Sequence, residues 1–321
     1  MKLLPLFHHT SNGVQLILFL CLVLLSTLVV MALSWMAASV VFGIPLQEIG
    51  SVMGDTLHPN NLDLSRFMQL GSQLGLFLLP PVIMAFLVST KPFGWLGFGG
   101  RVSSAHWIAG ISVLFVALPF LHWLAGINEL IVLPEGLSGI EQWMRRQEDA
   151  AEVITQRFLD VDKPVWLLFN LIMIAVIPGI GEEMVFRSVL QPVFSKGFRN
   201  VHLGIFFTAV VFAAMHLQFY GFLPRLVLGM FMGYAFFLSG SIWLPVVMHT
   251  VNNGAAVLVH YLHFNGFSDV SLEDAASFSG SPFYVLLSAA LTVLCLIVMV
   301  KAGHASKKEV RHSTEPPDQQ F

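Results

Sequence analysis

The sequence predicts an all-α polytopic membrane protein with about eight transmembrane helices, each near the ~20 apolar residues a bilayer requires. Three observations carry that prediction. The 321 residues are 56% hydrophobic and 11% charged, with a mean hydropathy of +0.76. Soluble domains carry about 25% charged residues. Long apolar runs recur along the chain, and the loops between them alternate between basic and acidic.

The first run, roughly 13–41, far exceeds the ~7–15-residue core of a cleavable signal and reads as a retained span. The second covers about 69–90, and Pro80-Pro81 marks a kink in it. The third covers about 105–127. Between about 128 and 164, charge is interleaved with Ile140, Trp143, Met144, Val153, Ile154 and Phe158, which predicts interfacial helices at the outer surface. Spans four to eight fall near 165–192, 202–218, 221–239, 242–262 and 281–301. Tight junctions near Gln218–Gly221 and Gly240–Ser241 join antiparallel neighbours. The polar tail from His304 to Phe321, with Pro316-Pro317, reads as disordered. The chain thus divides into 1–164 (three spans and the outer amphipathic segment), 165–262 (a core of four spans) and 263–321 (the last span and tail).

Lys2, Lys91, Arg101, Lys196, Arg199, Lys301, Lys307, Lys308 and Arg311 all fall on one side of this arrangement. The other side holds Glu48, Asp55, Asp63, Arg66, the mixed 128–164 segment, Asp269, Glu273 and Asp274. The positive-inside rule then places both termini in the cytoplasm. A net charge of −3 gives no sign of nucleic-acid binding. Cys21 and Cys295 both lie in apolar runs, so neither a disulfide framework nor a cysteine zinc site is expected.

Ionisable groups at membrane depth are costly and mark functional sites. Glu182, Glu183 and Arg187 occupy the fourth span, after Val-Ile-Pro-Gly-Ile-Gly. On a helix, Glu183 and Arg187 are four apart and can pair. Glu182 points about 100° away and lacks that partner, which leaves it free for general-base chemistry. Pro178, Gly179 and Gly181 open room for water or a substrate backbone. The fifth span ends in Phe212-Ala-Ala-Met-His216, and Phe212 is placed to wall the imidazole. The seventh holds His249-Thr-Val-Asn252-Asn253, in which His249 and Asn253 share a face. Read alone, each histidine fits helix–helix hydrogen bonding as well as catalysis. Gathered between 182 and 253, the groups form the inventory of a site that activates water. In straight helices His216 would lie near the outer end of its span and His249 nearer the inner end. The fifth span must therefore be shifted, or the 217–224 turn must dip into the protein, for the two to meet. Arg225, near the start of the sixth span, is expected to snorkel outward. Gly229 and Gly233 predict close packing of the sixth span within the monomer.

At these residues the chain resembles the CPBP family, the CAAX-protease and bacteriocin-processing membrane peptidases that include the Rce1-like and Abi proteins. The resemblance rests on Glu182-Glu183-x-x-x-Arg187, Phe212-x-x-x-His216 and His249-x-x-x-Asn253, in that order. It implies an intramembrane endopeptidase of the CAAX type, in a bacterial cell membrane. The catalytic cavity would be conical, walled by spans four, five and seven, near the cytoplasmic boundary. Glu182 would polarise the attacking water with help from His216, Glu183 would pair with Arg187, and His249 and Asn253 would stabilise the oxyanion. Whether a metal takes part is left open. Glu182, His216 and His249 offer three ligands to zinc, as a metalloprotease needs, or orient water directly. Expected partners are membrane lipid and a peptide or protein substrate, such as a prenylated tail or a leader peptide. The alternative class is a non-enzymatic transporter or a peptide-binding immunity protein.

Overall fold

The computed structural model describes residues 6–7, 10–271 and 282–314, with side chains described as far as 303. Lys2, Glu273, Asp274 and Pro316-Pro317 lie outside the described residues, as do the side chains of Lys307, Lys308 and Arg311. The principal helices are α1 Asn12–Phe42, α2 Asn61–Val88, α3 Ser104–Val116, α4 Leu118–Glu129, α5 Ser138–Leu159, α6 Pro164–Gly197, α7 Val201–Met215, α8 Phe222–Ser239, α9 Trp243–Phe264 and α10 Pro282–Thr314. No strand occurs among the described residues.

The all-α polytopic class holds, but the span count is lower by length and apolarity. Five helices qualify: α1, α2, α6, Phe219–Ser239 and Pro282–Gly303. The α3–α4 pair, bent by 46°, makes up to six. All eight predicted segments are helical. However, α7 has only 15 residues, and α9 carries enough polar groups to fall below a hydrophobic span. Of the tail predicted from His304 to Phe321, the part to Thr314 continues the helix of α10, and 315–321 lies outside the described residues.

Local chemistry explains the helix ends. The Asn200 side chain caps α7 by accepting from the amides of His202 and Leu203, at 2.9 and 3.2 Å. Gly240, at φ +66°, ends α8 in the left-handed conformation and lets the chain turn straight into α9. Long helices also carry wide turns with i→i+5 bonding. In α2 one spans Leu74–Leu78, just before Pro80-Pro81; in α6 two span Leu171–Val176 and Met184–Leu190, before Pro178 and Pro192. Proline lacks the N–H that would close a normal turn, and such bulges cluster at functional sites. Glu182 and Glu183 lie between the two bulges of α6.

Only 11% of the most apolar window of α1 is buried, so its flanks present Leu, Val and Ile outward as a lipid-facing surface. The centre is built by α2, α6, α7, α8 and α9. Small residues permit the approaches, as membrane helices require. A Cβ on Gly229 would touch Ala209 and Phe212, and one on Gly233 would meet Ile205, so α8 packs on α7 within one chain. Gly179 abuts Thr250 of α9, and Gly181 abuts Phe77 of α2. The sequence segment 128–164 folds mainly into a single amphipathic helix, α5. Arg157 ties it to α2 through Asn61 Oδ1 at 2.6 Å and to the Thr56 carbonyl at 3.1 Å.

Candidate active site

The site forms where the centre of α6 meets the first turns of α9 and the end of α7. Glu183 and Arg187 are fully buried, and Arg187 Nε donates to Glu183 Oε2 at 2.8 Å. The other carboxylate oxygen, Oε1, accepts from His249 Nδ1 at 2.9 Å. Both oxygens of Glu183 are therefore committed. Because an ionised carboxylate only accepts, the His249 proton sits on Nδ1 and Nε2 faces the other way. There it meets Glu182 Oε2 at 3.9 Å. That separation is too long for a direct hydrogen bond. Glu182 Oε2 has no hydrogen-bond partner among the described residues.

Phe212 organises the neighbouring wall. Its ring lies edge-on to Phe186 at 5.1 Å, to His216 at 4.9 Å and to His249 at 5.9 Å. The Arg187 guanidinium carbon stands 5.6 Å from the same ring. Arg187 Nη1 and Nη2 have no hydrogen-bond partner among the described residues, so the ring face is the cation's remaining compensation. His216 Nδ1 donates to the Phe212 carbonyl at 2.8 Å, which leaves its Nε2 free as an acceptor. Asn253 Nδ2 donates to the Ile174 carbonyl at 3.1 Å and its Oδ1 accepts from Asn252 at 3.2 Å. One amide hydrogen of Asn253 remains for another partner.

His216 and His249 come to line one cavity, on either side of Phe212, because α7 is short. It stops at Met215, well before a full crossing, and the following turn folds inward. Leu217 adopts φ +53°, a conformation that disfavours branched side chains and marks a strained turn. Gln218, Gly221 and Pro224 of that turn line the cavity.

Two adjoining cavities of about 500 and 470 Å³ share His216, Gln218, Thr155 and Asn253. His249 and Phe212 line the first, and Glu182 and Pro178 the second. The walls come from α2, α5, α6, α7, α8 and α9, more elements than the three spans expected. Arg225 corrects another expectation. It does not snorkel outward; it lines the cavity, hydrogen-bonded to the Gln218 carbonyl at 3.1 Å and to the Gln218 side chain. Sequence reading missed Arg225, Gln218, Asn252 and Thr155, because their inward placement depends on the strained turn and on α5.

The zinc expectation finds little geometric support. Among the described residues no group of three His, Cys, Asp or Glu side chains is arranged to hold a metal ion. Glu182 and His249 approach each other, but His216 is not grouped with them as a third ligand.

Fold and site together define an α-helical membrane protein with a buried carboxylate–guanidinium–imidazole cluster beside a cavity. Residues 164–255 match the family model described as type II CAAX prenyl endopeptidase Rce1-like. That segment, a little under a third of the chain, contains every residue of the cluster and is where the chain is similar to CAAX-protease membrane endopeptidases. No curated protein and no solved structure matches the chain.

Proposed function

We propose that the protein is a glutamate-dependent intramembrane endopeptidase that hydrolyses a peptide bond in the cavity between α6, α7 and α9. The observation that carries this is the division of labour between adjacent glutamates. Glu183 is saturated by Arg187 and His249, while Glu182 Oε2 is unpartnered and faces His249 Nε2 across 3.9 Å. One water bridging that gap hydrogen-bonds to both groups. Its oxygen attacks the scissile carbonyl carbon, and Glu182 takes its proton. With a second proton taken from solvent before the attack, His249 Nε2 donates alongside the spare Asn253 N–H to the oxyanion, and that proton returns to solvent after the amine departs. His216 Nε2 helps to hold the water. As the C–N bond breaks, Glu182 returns the proton to the leaving amine.

The substrate is a peptide or protein at the membrane, with prenylated tails and leader peptides as the two candidate classes. The protein resides in the cell membrane, with both termini in the cytoplasm. A non-enzymatic transporter or immunity role is the rival reading.

The test is cleavage of a peptide set containing both classes by detergent-purified protein, wild type against Glu182→Gln, with and without a chelator. Cleavage abolished by the substitution and unaffected by the chelator is the expected result. Chelator inhibition reversed by zinc would establish a metallopeptidase, and undiminished cleavage by Glu182→Gln would remove Glu182 from the mechanism.

A further inference from the structure

The two ends of the helix bundle differ in charge, and the residues that line the cavity extend toward one of them. One end gathers Lys91, Arg101, Lys196, Arg199 and Lys301, with no acidic residue in 89–103, 193–203 or 238–243. Contacts identify these segments as one end. Ile242 N donates to the Gly97 carbonyl at 3.1 Å, Trp243 Nε1 to the Phe98 carbonyl at 3.2 Å, and Gly303 packs on Leu238.

The opposite end is held together by a separate set of bonds. His260 Nε2 and Asp160 Oδ1 are 2.8 Å apart, Asn265 donates to the Val161 carbonyl at 3.0 Å, and Asn128 donates to the Phe219 carbonyl at 2.7 Å. The cavity leads to this second end. From His249 it passes Gln218 and Thr155, and a further space of about 500 Å³ beside it is lined by Glu148, Glu152, His260 and His263. Helix α5 lies across the mouth, with Tyr220 N donating to Glu148 Oε2 at 3.0 Å.

Basic loops stay in the cytoplasm. We propose that the site is open to the opposite, non-cytoplasmic side, under α5, and that its substrate is a translocated peptide segment. This deepens the peptidase reading and rests on it. It replaces the sequence expectation of cleavage near the cytoplasmic boundary. A tail presented from the cytoplasm would have to enter from the basic end, away from Thr155, Gln218 and Glu152, which line the way to Glu182. The mouth combines Glu148 and Glu152 with His260 and His263, so it receives a polar backbone rather than an apolar chain.

Two measurements test this in intact cells. In a Cys21→Ala/Cys295→Ala background, single cysteines are introduced as Glu152→Cys, His263→Cys and Lys196→Cys, all at exposed positions. A membrane-impermeant maleimide is expected to label the first two directly, with no labelling of Lys196→Cys until the membrane is permeabilised. The reverse pattern overturns the proposal, whether or not the protein is a peptidase. A single-span reporter then carries the same peptide flank on either side of the membrane. Glu182-dependent loss of the translocated flank is expected, and loss of the cytoplasmic flank instead overturns the proposal. Maleimide labelling as expected with neither flank cut would leave the outward opening standing and count against the peptidase reading.

Discussion

Glu182 and Glu183 are neighbours in sequence with opposite situations, and single substitutions separate them. Removing a positioned acid–base group commonly costs about 10²–10⁴-fold in rate. Glu182→Gln is therefore expected to reduce kcat by at least about 10²-fold while leaving the thermal transition in place. A purified, correctly inserted Glu182→Gln protein with wild-type turnover would refute the assignment. Arg187→Ala acts differently, because it strands a fully buried carboxylate. Breaking such a pair costs about 3–5 kcal/mol, so a large fall in Tm is expected. The Glu183→Gln/Arg187→Met double substitution removes both charges and should recover much of that loss. If the double variant is no more stable than Arg187→Ala alone, the ion pair is not the source of the effect.

At the scale of elements, α7 sets the depth of the site. Its start is clamped against the end of α6, where a Cβ on Gly204 would lie 2.6 Å from Ser195 N and 2.7 Å from Ser195 Cα. These are backbone atoms and cannot step aside. Overpacking of this kind costs typically about 1–3 kcal/mol. Gly204→Ala is expected to lower Tm and also kcat, because Phe212 and His216 ride on the displaced helix. A thermal-shift assay paired with peptide turnover checks both; unchanged values would mean that α7 is not held by this contact. The bulges in α2 and α6 belong to the same scale. Their prolines are visible in the sequence, but the wide turns they induce re-aim every side chain beyond them, which helical spacing alone cannot track.

For the whole molecule, the exposed surface of α1 and α10 decides behaviour. Leu20, Leu24, Leu25, Leu28 and Leu33 are all more than half exposed, as are Leu286, Val293 and Leu294. A soluble monomer rarely shows apolar patches of that extent. The protein is expected to remain in the membrane pellet after alkaline carbonate extraction and to need detergent for release. Recovery in the carbonate supernatant would contradict its reading as an integral membrane protein. Legibility changes at this scale too. Hydropathy located all eight helical segments, since burial in lipid acts on each span separately. Five of the eight, or six with the bent α3–α4 pair, are also long and apolar enough to qualify singly, because α7 is short and α9 carries polar groups.

What the sequence determined by itself is local. Long apolar runs specify an all-α membrane protein, and spacing of four residues specifies the Glu183–Arg187 pair. The ordered glutamate, histidine and asparagine motifs mark where ionisable and polar groups gather. The tertiary structure alone decided which groups meet across helices. It brought His249, 66 residues from Glu183 in sequence, onto that carboxylate, and turned Arg225 and Gln218 inward through the strained turn at Leu217. It also brought Thr155 and Leu159 of α5 into the cavity wall. The physical reason is that helix formation and lipid burial are satisfied residue by residue. Side-chain juxtaposition instead depends on how far each helix runs and how closely glycines let its neighbours approach.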